Sequence, residues 1–253
     1  MTPVPVPLRS SETPLVPVPL RSSETPRVPV PLRSSETQLL LITKAPVPGR
    51  SKTRLSPPCS PEQAAAIASA AVGDTLDVVR GTPVRRRVVA LDGEAGELDL
   101  AGCVVVPQPD GDLGTRLAFA FADAMTAPDG DLPTLLIGMD TPQLTPQLLT
   151  AALDRLVAAG PGTAVLGTAP DGGWWALGLH SPEAALVLPG VPMSRKDTAA
   201  RTRAALEHAG LTVLDLPQLT DIDHFPDAVS VSAECPEGSR TRRVVDDVAA
   251  ALT

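Results

Sequence analysis

Aromatic residues are nearly missing from this 253-residue chain, which has three Phe, two Trp and no Tyr. Its core must therefore be built from Val, Leu, Ile and Ala. Cysteine is equally scarce. Cys59, Cys103 and Cys235 are far apart and odd in number, which argues against a disulfide framework or a zinc site and fits reduced thiols in a cytoplasmic protein. The longest apolar runs are only strand-length, so no transmembrane helix is expected. No charged segment followed by an apolar one marks a signal peptide. Neither a P-loop nor a G-x-G-x-x-G fingerprint occurs. The formal charge of −8 leaves no general basic face, so neither nucleic acid nor an anionic membrane is an expected partner.

What is present falls into two parts. Val4 to Pro14 reads VPVPLRSSETP, and the same string recurs from Val16 and, but for its last residue, from Val28, a period of twelve. Alternating proline blocks both helix and sheet ladder and favours extended polyproline-like chain. Three such short units cannot bury a core. Residues 1–37 therefore read as a disordered Pro-rich tail, with a proline-rich ligand for a partner domain as the functional alternative. Residues 38–253 are enough for one sizeable domain.

In that domain strand and helix signals alternate. Strands are expected at Gln38–Thr43, Arg87–Leu91, Cys103–Val106, Thr134–Gly138, Thr163–Gly167, Trp174–Leu179 and Leu211–Leu216. Helices are expected at Pro61–Val79 behind the N-cap Ser60, Arg116–Met125, from Pro146 to about Ala159, Asp197–His208 and Thr241–Leu252. This alternation argues an α/β fold with a mostly parallel sheet. Ligands of such sheets lie beyond the carboxyl ends of the strands. The loops after Thr43, Val106, Gly138 and Leu216 are therefore where chemistry is expected.

Five stretches stand out. The first runs from Lys44 to Leu55 and places Lys44, Arg50, Lys52 and Arg54 on a Pro/Gly turn after an apolar strand, a plausible phosphate cradle or else a solvated basic loop. The second, Pro107 to Arg116, offers Gly111, Asp112 and Gly114 at a helix start, with Gln108 able to read a base edge; an ordinary glycine-rich connection is the alternative. The third puts Asp140 just past a buried strand, suited to Mg²⁺ or Mn²⁺ or to capping a turn. The fourth, Asp171-Gly172-Gly173-Trp174-Trp175, is a tight turn into a strand on which the two Trp face opposite sides, one toward the core and one toward a pocket. The fifth, Asp221 to Asp227, offers Asp223 as a second metal carboxylate, with Asp227 at a helix start.

In this order the five stretches resemble a bacterial family of GT-A-like transferases, the radical-SAM/selenodomain-associated transferases. The matching residues are Lys44 through Leu55, Gln108 through Arg116, Gly138 through Pro142, Asp171 through Trp175 and Asp221 through Asp227. The resemblance covers about residues 38–230. It implies a three-layer α/β/α Rossmann-like GT-A fold with a mixed, mostly parallel sheet, and a divalent metal held by Asp140 and Asp223. The wider superfamily holds both nucleotide-sugar glycosyltransferases and nucleotidyltransferases.

The expected activity is thus a metal-dependent transfer from a nucleotide or nucleotide-sugar donor to a small-molecule acceptor. Lys44, Lys52, Arg54, Gln108, Gly111, Asp112 and Gly114 are expected to hold the nucleotide. Lys52 and Asp171 are expected to be catalytic, and Gly172, Gly173 and Trp174 to face the acceptor. Nucleotidyl transfer with pyrophosphate release is the alternative, and a non-catalytic nucleotide-binding protein the second. The base, the acceptor and the oligomeric state are not legible.

Overall fold

A computed structural model describes residues 36–126 and 131–252. The expected tail lies outside them except for Glu36 and Thr37. Thr37 is fully buried, and its carbonyl accepts the Arg85 N–H at 3.0 Å, so it packs with the domain although it precedes the first strand.

Seven strands form one sheet: β1 (Gln38–Lys44), β2 (Arg86–Asp92), β3 (Val104–Pro107), β4 (Thr134–Ile137), β5 (Thr163–Thr168), β6 (Trp174–Leu179) and β7 (Thr212–Leu216). Their order is β3-β2-β1-β4-β6-β5-β7. β6 runs antiparallel to both β4 and β5, and every other pairing is parallel. Six strands therefore point their carboxyl ends to the same edge, where β6 has its amino end.

The helices are α1 (Pro61–Gly81), α2 (Leu113–Met125), α3 (Pro146–Ala159), α4 (Thr198–His208), α5 (Phe225–Glu234) and α6 (Arg240–Leu252). Period-two alternation in β1 sends Leu39 and Leu41 into a core under α1 and α3, and Leu40 into a second core under α2. A third cluster, with Leu55, Ile67, Ile222 and Val245, seats α5 and α6 beside α1. Among the described residues no helix is long and apolar enough to cross a membrane.

Sequence expectations and elements agree to within a residue or two nearly throughout. α2 starts at Leu113 rather than Arg116, because the Asp112 carboxylate accepts the Thr115 N–H at 2.7 Å and fixes the helix start there. Three elements lack a matching expectation, the first a single 3₁₀ turn over Thr53–Leu55. A 3₁₀ stretch over Pro182–Gly190 packs on α2, and α5 follows His224, whose N–H is taken by Asp227 at 2.7 Å. That Asp227 begins a helix was expected; the helix body, VSVSAE behind Phe225-Pro226, has no strong helical pattern.

The two tryptophans divide as their adjacency requires. Trp175 is in the core with its indole N–H on the Pro217 carbonyl at 2.9 Å, and Trp174 is on the opposite face. Gly167 exists to admit the Trp175 ring, which lies 2.5 Å from where a Cβ would stand. Gly167→Ala should therefore overpack this site and destabilise the fold by about 1–3 kcal/mol, read as a lower urea midpoint at unchanged m-value.

Candidate active site

The loops beyond the sheet's common edge enclose a cleft of about 820 Å³. All four loops singled out from sequence contribute to it, as do the turn entering β6 and the segment before α4.

The first loop is knotted on Ser51. Its hydroxyl donates to the Ala45 carbonyl at 2.7 Å and accepts the Val47 N–H at 3.2 Å, while the Arg50 and Ser51 N–H groups both return to the Val47 carbonyl at 3.0 Å. The turn closes through Gly49 at φ 73° and then Lys52 at φ 51°, a left-handed conformation a lysine seldom adopts. This geometry turns Lys52 inward. Its ammonium is 2.8 Å from Asp140 Oδ1 and also donates to the Ile222 carbonyl, and its side chain is only 10% exposed. Two residues on, Arg54 Nη1 meets both carboxylate oxygens of Asp223, at 3.1 and 2.9 Å.

Asp140 follows the fully buried β4. Its carbonyl accepts the Ile222 N–H at 2.8 Å, and Gln143 donates to the Thr220 carbonyl at 2.7 Å, so the loop after β4 is stitched to the loop after β7. Ile222 is completely buried, and Asp221 and Asp223 on either side of it both line the cleft. The two expected metal carboxylates, Asp140 and Asp223, therefore line one crevice with Arg54, and Lys52 backs Asp140 from the wall.

Other expected site residues have different duties. Lys44 lines the cleft but pairs with Asp92 at 3.6 Å, which Arg116 also approaches at 3.4 Å. Both donor hydrogens of Gln108 are committed, to the carbonyls of Thr43 at 2.7 Å and Ala90 at 2.8 Å, and its oxygen takes Arg116 at 3.1 Å. Gln108 thus braces β1 against β2 instead of offering an unengaged amide to a base. Asp112 caps α2, and Gly111 stands at φ 136° above Thr115. Gly114 is needed because a Cβ would overlap the Leu188 carbonyl, and Gly172 because one would overlap the Lys196 carbonyl. At both glycines the group that comes close is a protein backbone carbonyl. Gly173 and Trp174 do line the cleft, as does Asp171, whose Oδ1 accepts the Gly173 N–H at 2.7 Å.

Asp221 has the strongest electrostatic signature in the cleft, although sequence reasoning gave it no role. Burial, then the negative charge of Asp171, with Asp140 adding, push its pKa up to about 6. The signal in the sequence was the alternation Asp221-Ile222-Asp223, which sends one residue to the core and two to the same side. Ser194, Arg195 and Lys196, also unassigned, line the cleft as well.

A divalent ion is implied by the fold family. Among the described residues no three His, Cys, Asp or Glu side chains converge as a metal cage. Mg²⁺, however, is commonly held by one or two carboxylates together with substrate phosphates and water. Asp140 Oδ1 suits that use, being buried without a hydrogen bond and with Lys52 as its ionic partner. The residues fit an ion that arrives with phosphate oxygens.

The Asp221 shift sets a pH dependence. A carboxyl protonated to higher pH in the native state than in the unfolded chain contributes stability below its ordinary value of 3.8 and loses it as pH rises through about 6. Asp221→Asn should therefore stabilise the fold at pH 7, by roughly 1 kcal/mol after allowing for solvent screening. It should also flatten the loss of stability between about pH 4 and 6, measured by thermal unfolding across pH.

Residues 75–195, just under half the chain, match the model of a family described as an uncharacterized protein conserved in bacteria (DUF2064). Among solved structures the chain is similar to a protein of Desulfovibrio desulfuricans G20 provisionally named a nucleotide-diphospho-sugar transferase. The identity is 26%, the match covers 86% of this chain and 97% of that one, and the TM-score is 0.73. It shares its fold with a 4-diphosphocytidyl-2C-methyl-D-erythritol synthase at 13% identity, 79% and 98% coverage and a TM-score of 0.51. It shares it too with the 2-C-methyl-D-erythritol 4-phosphate cytidylyltransferase of Thermus thermophilus, at 17% identity, 78% and 98% coverage and a TM-score of 0.50. No curated protein sequence matches the chain. In fold the chain is a GT-A-like α/β/α protein with a mixed, mostly parallel sheet, as the resemblance of its five motifs implied.

Proposed function

We propose that residues 38–253 form a metal-dependent transferase that uses a nucleotide-activated donor, in the first place a nucleotide sugar. The observation that carries this reading is the pairing of Lys52 with Asp140 and of Arg54 with Asp223 on the wall of one cleft at the carboxyl edge of the sheet. Two cations and two carboxylates so placed match the opposite demands of a diphosphate and of the ion that accompanies it.

In this reading Lys52 and Arg54 turn from their carboxylates to the donor phosphates and stabilise the charge that develops on the leaving group. Lys44, beside them, adds to the field. Asp140 and Asp223 would hold Mg²⁺ or Mn²⁺. Such an ion would supply Lewis-acid charge neutralisation for the departing diphosphate. Asp171, with Gly173 and Trp174, receives the acceptor, and its carboxylate takes the proton from the attacking hydroxyl. The new bond joins that oxygen to the sugar carbon, and the bond between that carbon and the phosphate oxygen breaks. Orientation and electrostatics suffice, without a covalent nucleophile.

Nucleotidyl transfer is the second reading, and the basic first loop favours it. Lys44 at the end of β1, with Lys52 and Arg54 in the loop that follows, suits a triphosphate whose α-phosphorus is attacked and whose pyrophosphate leaves. The D. desulfuricans relative supports the first reading through its provisional name.

Thermal unfolding with Mg²⁺ and a panel of nucleotides tests the common core of both. One nucleotide class should raise the melting temperature by about 5–10 °C at a hundredfold excess over Kd, and Asp140→Asn should abolish the rise. A panel with no such rise overturns the proposal. Release of nucleoside diphosphate from a nucleotide sugar then supports glycosyl transfer, and release of pyrophosphate from a triphosphate supports the alternative. Lys52→Met should lower the rate of either by about 10²-fold or more.

A further inference from the structure

The cations of the cleft are not alike. Lys52 faces Asp140 at 2.8 Å, Arg54 faces Asp223 at 2.9 Å, and Lys44 and Arg116 share Asp92. Arg195 and Lys196 line the same cleft, yet among the described residues neither makes an ion pair. They are also exposed, so the field they set up acts on whatever enters.

Their backbone is held in place. Thr198, buried, donates its hydroxyl proton to the Pro192 carbonyl at 3.0 Å and accepts the Arg195 N–H at 3.0 Å, which loops the segment back on itself. Ser194 takes the left-handed conformation at φ 56° in the bend. The loop is then docked on the turn before β6. Ala199 donates to the Gly172 carbonyl at 2.8 Å, and Gly172 lacks the Cβ that would overlap the Lys196 carbonyl. Arg195 and Lys196 are thereby fixed to the turn that carries Asp171.

The electrostatics of that wall are polarised. The carboxylates of Asp171 and Asp221 line one side of the cleft, and Arg195 and Lys196 line it as well. An oxyanion is repelled by the carboxylates and attracted to Arg195 and Lys196. A small molecule carrying both a hydroxyl and an oxyanion has one favoured orientation between them.

We propose that Arg195 and Lys196 form an oxyanion subsite that binds a phosphate or carboxylate group of the acceptor, leaving the acceptor hydroxyl toward Asp171. Calling the bearer of that group the acceptor rests on the transfer reading above. The substrate class is then an anionic, hydroxylated small molecule, not a neutral sugar or a lipid alcohol. Arg195 contributes a planar fork to the oxyanion, and Lys196 a point charge.

Calorimetric titration of the full chain with glycerol 3-phosphate, glycerate and glycerol tests the subsite without any assay of turnover. Saturable, salt-sensitive binding of one of the two anions and none of glycerol is expected, and whichever anion binds names the group. The double variant Arg195→Gln/Lys196→Gln should lose that binding about tenfold or more. Its melting temperature should be unchanged, since the loop is held by Thr198 and backbone groups, and so should its nucleotide-induced stabilisation. Binding of neither anion by the wild type, or equal binding by the double variant, overturns the subsite. Loss on Arg54→Gln but not in the double variant also overturns it, because the anion would then lie in the phosphate cradle. If the double variant loses anion binding but no nucleotide stabilises the wild type, the subsite stands and the transfer reading fails.

Discussion

Lys52 joins three loops that the sheet alone would leave apart. Its backbone follows β1, its ammonium meets Asp140 beyond β4, and it donates to the carbonyl of Ile222 beyond β7. β1 and β4 are neighbours, but β6 and β5 lie between β4 and β7, so no ladder hydrogen bond brings residue 222 to residue 52. The left-handed turn at Lys52 is what lets the side chain cross. Because that side chain is largely withdrawn from water and Asp140 is not, the pair is more than a surface contact and less than a buried one. Losing the cation would leave Asp140 Oδ1, buried and without a hydrogen bond, uncompensated, at a cost of about 1–3 kcal/mol.

The same pairing organises the chemistry proposed for the cleft. In the proposed reaction phosphate oxygens would compete with Asp140 for Lys52 and with Asp223 for Arg54. Each exchange would release a carboxylate as a diphosphate arrives, and a divalent cation would be the natural partner for both. Nucleotide and ion would then bind cooperatively with no movement of the fold, because each supplies the charge the other's arrival leaves unbalanced.

How far the sequence could be read depends on what kind of physics fixes each residue. Periodicity and turn chemistry are local, and they located the strands and most helices. They also divided Trp174 from Trp175 and pointed to the loops that do form the cleft. The intramolecular partners of Gln108 and Gly114 were not legible because they are distant in sequence. An amide between two carbonyls of neighbouring strands looks the same in a string of letters as an amide facing a base, and a glycine that admits the Leu188 carbonyl looks like one that admits a phosphate. Asp221 was passed over for a related reason. Its environment is created by Asp171 and Asp140, fifty and eighty-one positions away, and by burial that the sequence does not display. The stretch Phe225–Glu234 is helical through packing on α6 and the Asp227 cap more than through propensity.

The reversed strand explains why these distant residues meet. Because β6 runs opposite to its neighbours, the β5–β6 connection can be a short turn that stays at the edge where the other loops emerge. The register shift at Gly167 and Thr168 bends the end of β5 just before that turn, and a bulge of this kind re-aims the chain beyond it. A parallel β6 would have required a crossover and would have carried Asp171 to another part of the surface. The parallel half of the sheet thus presents Lys52, Arg54 and Asp140, and the single antiparallel insertion brings in Asp171 and, docked on it, Arg195 and Lys196. The cleft has two walls of different chemistry because the sheet has two kinds of pairing.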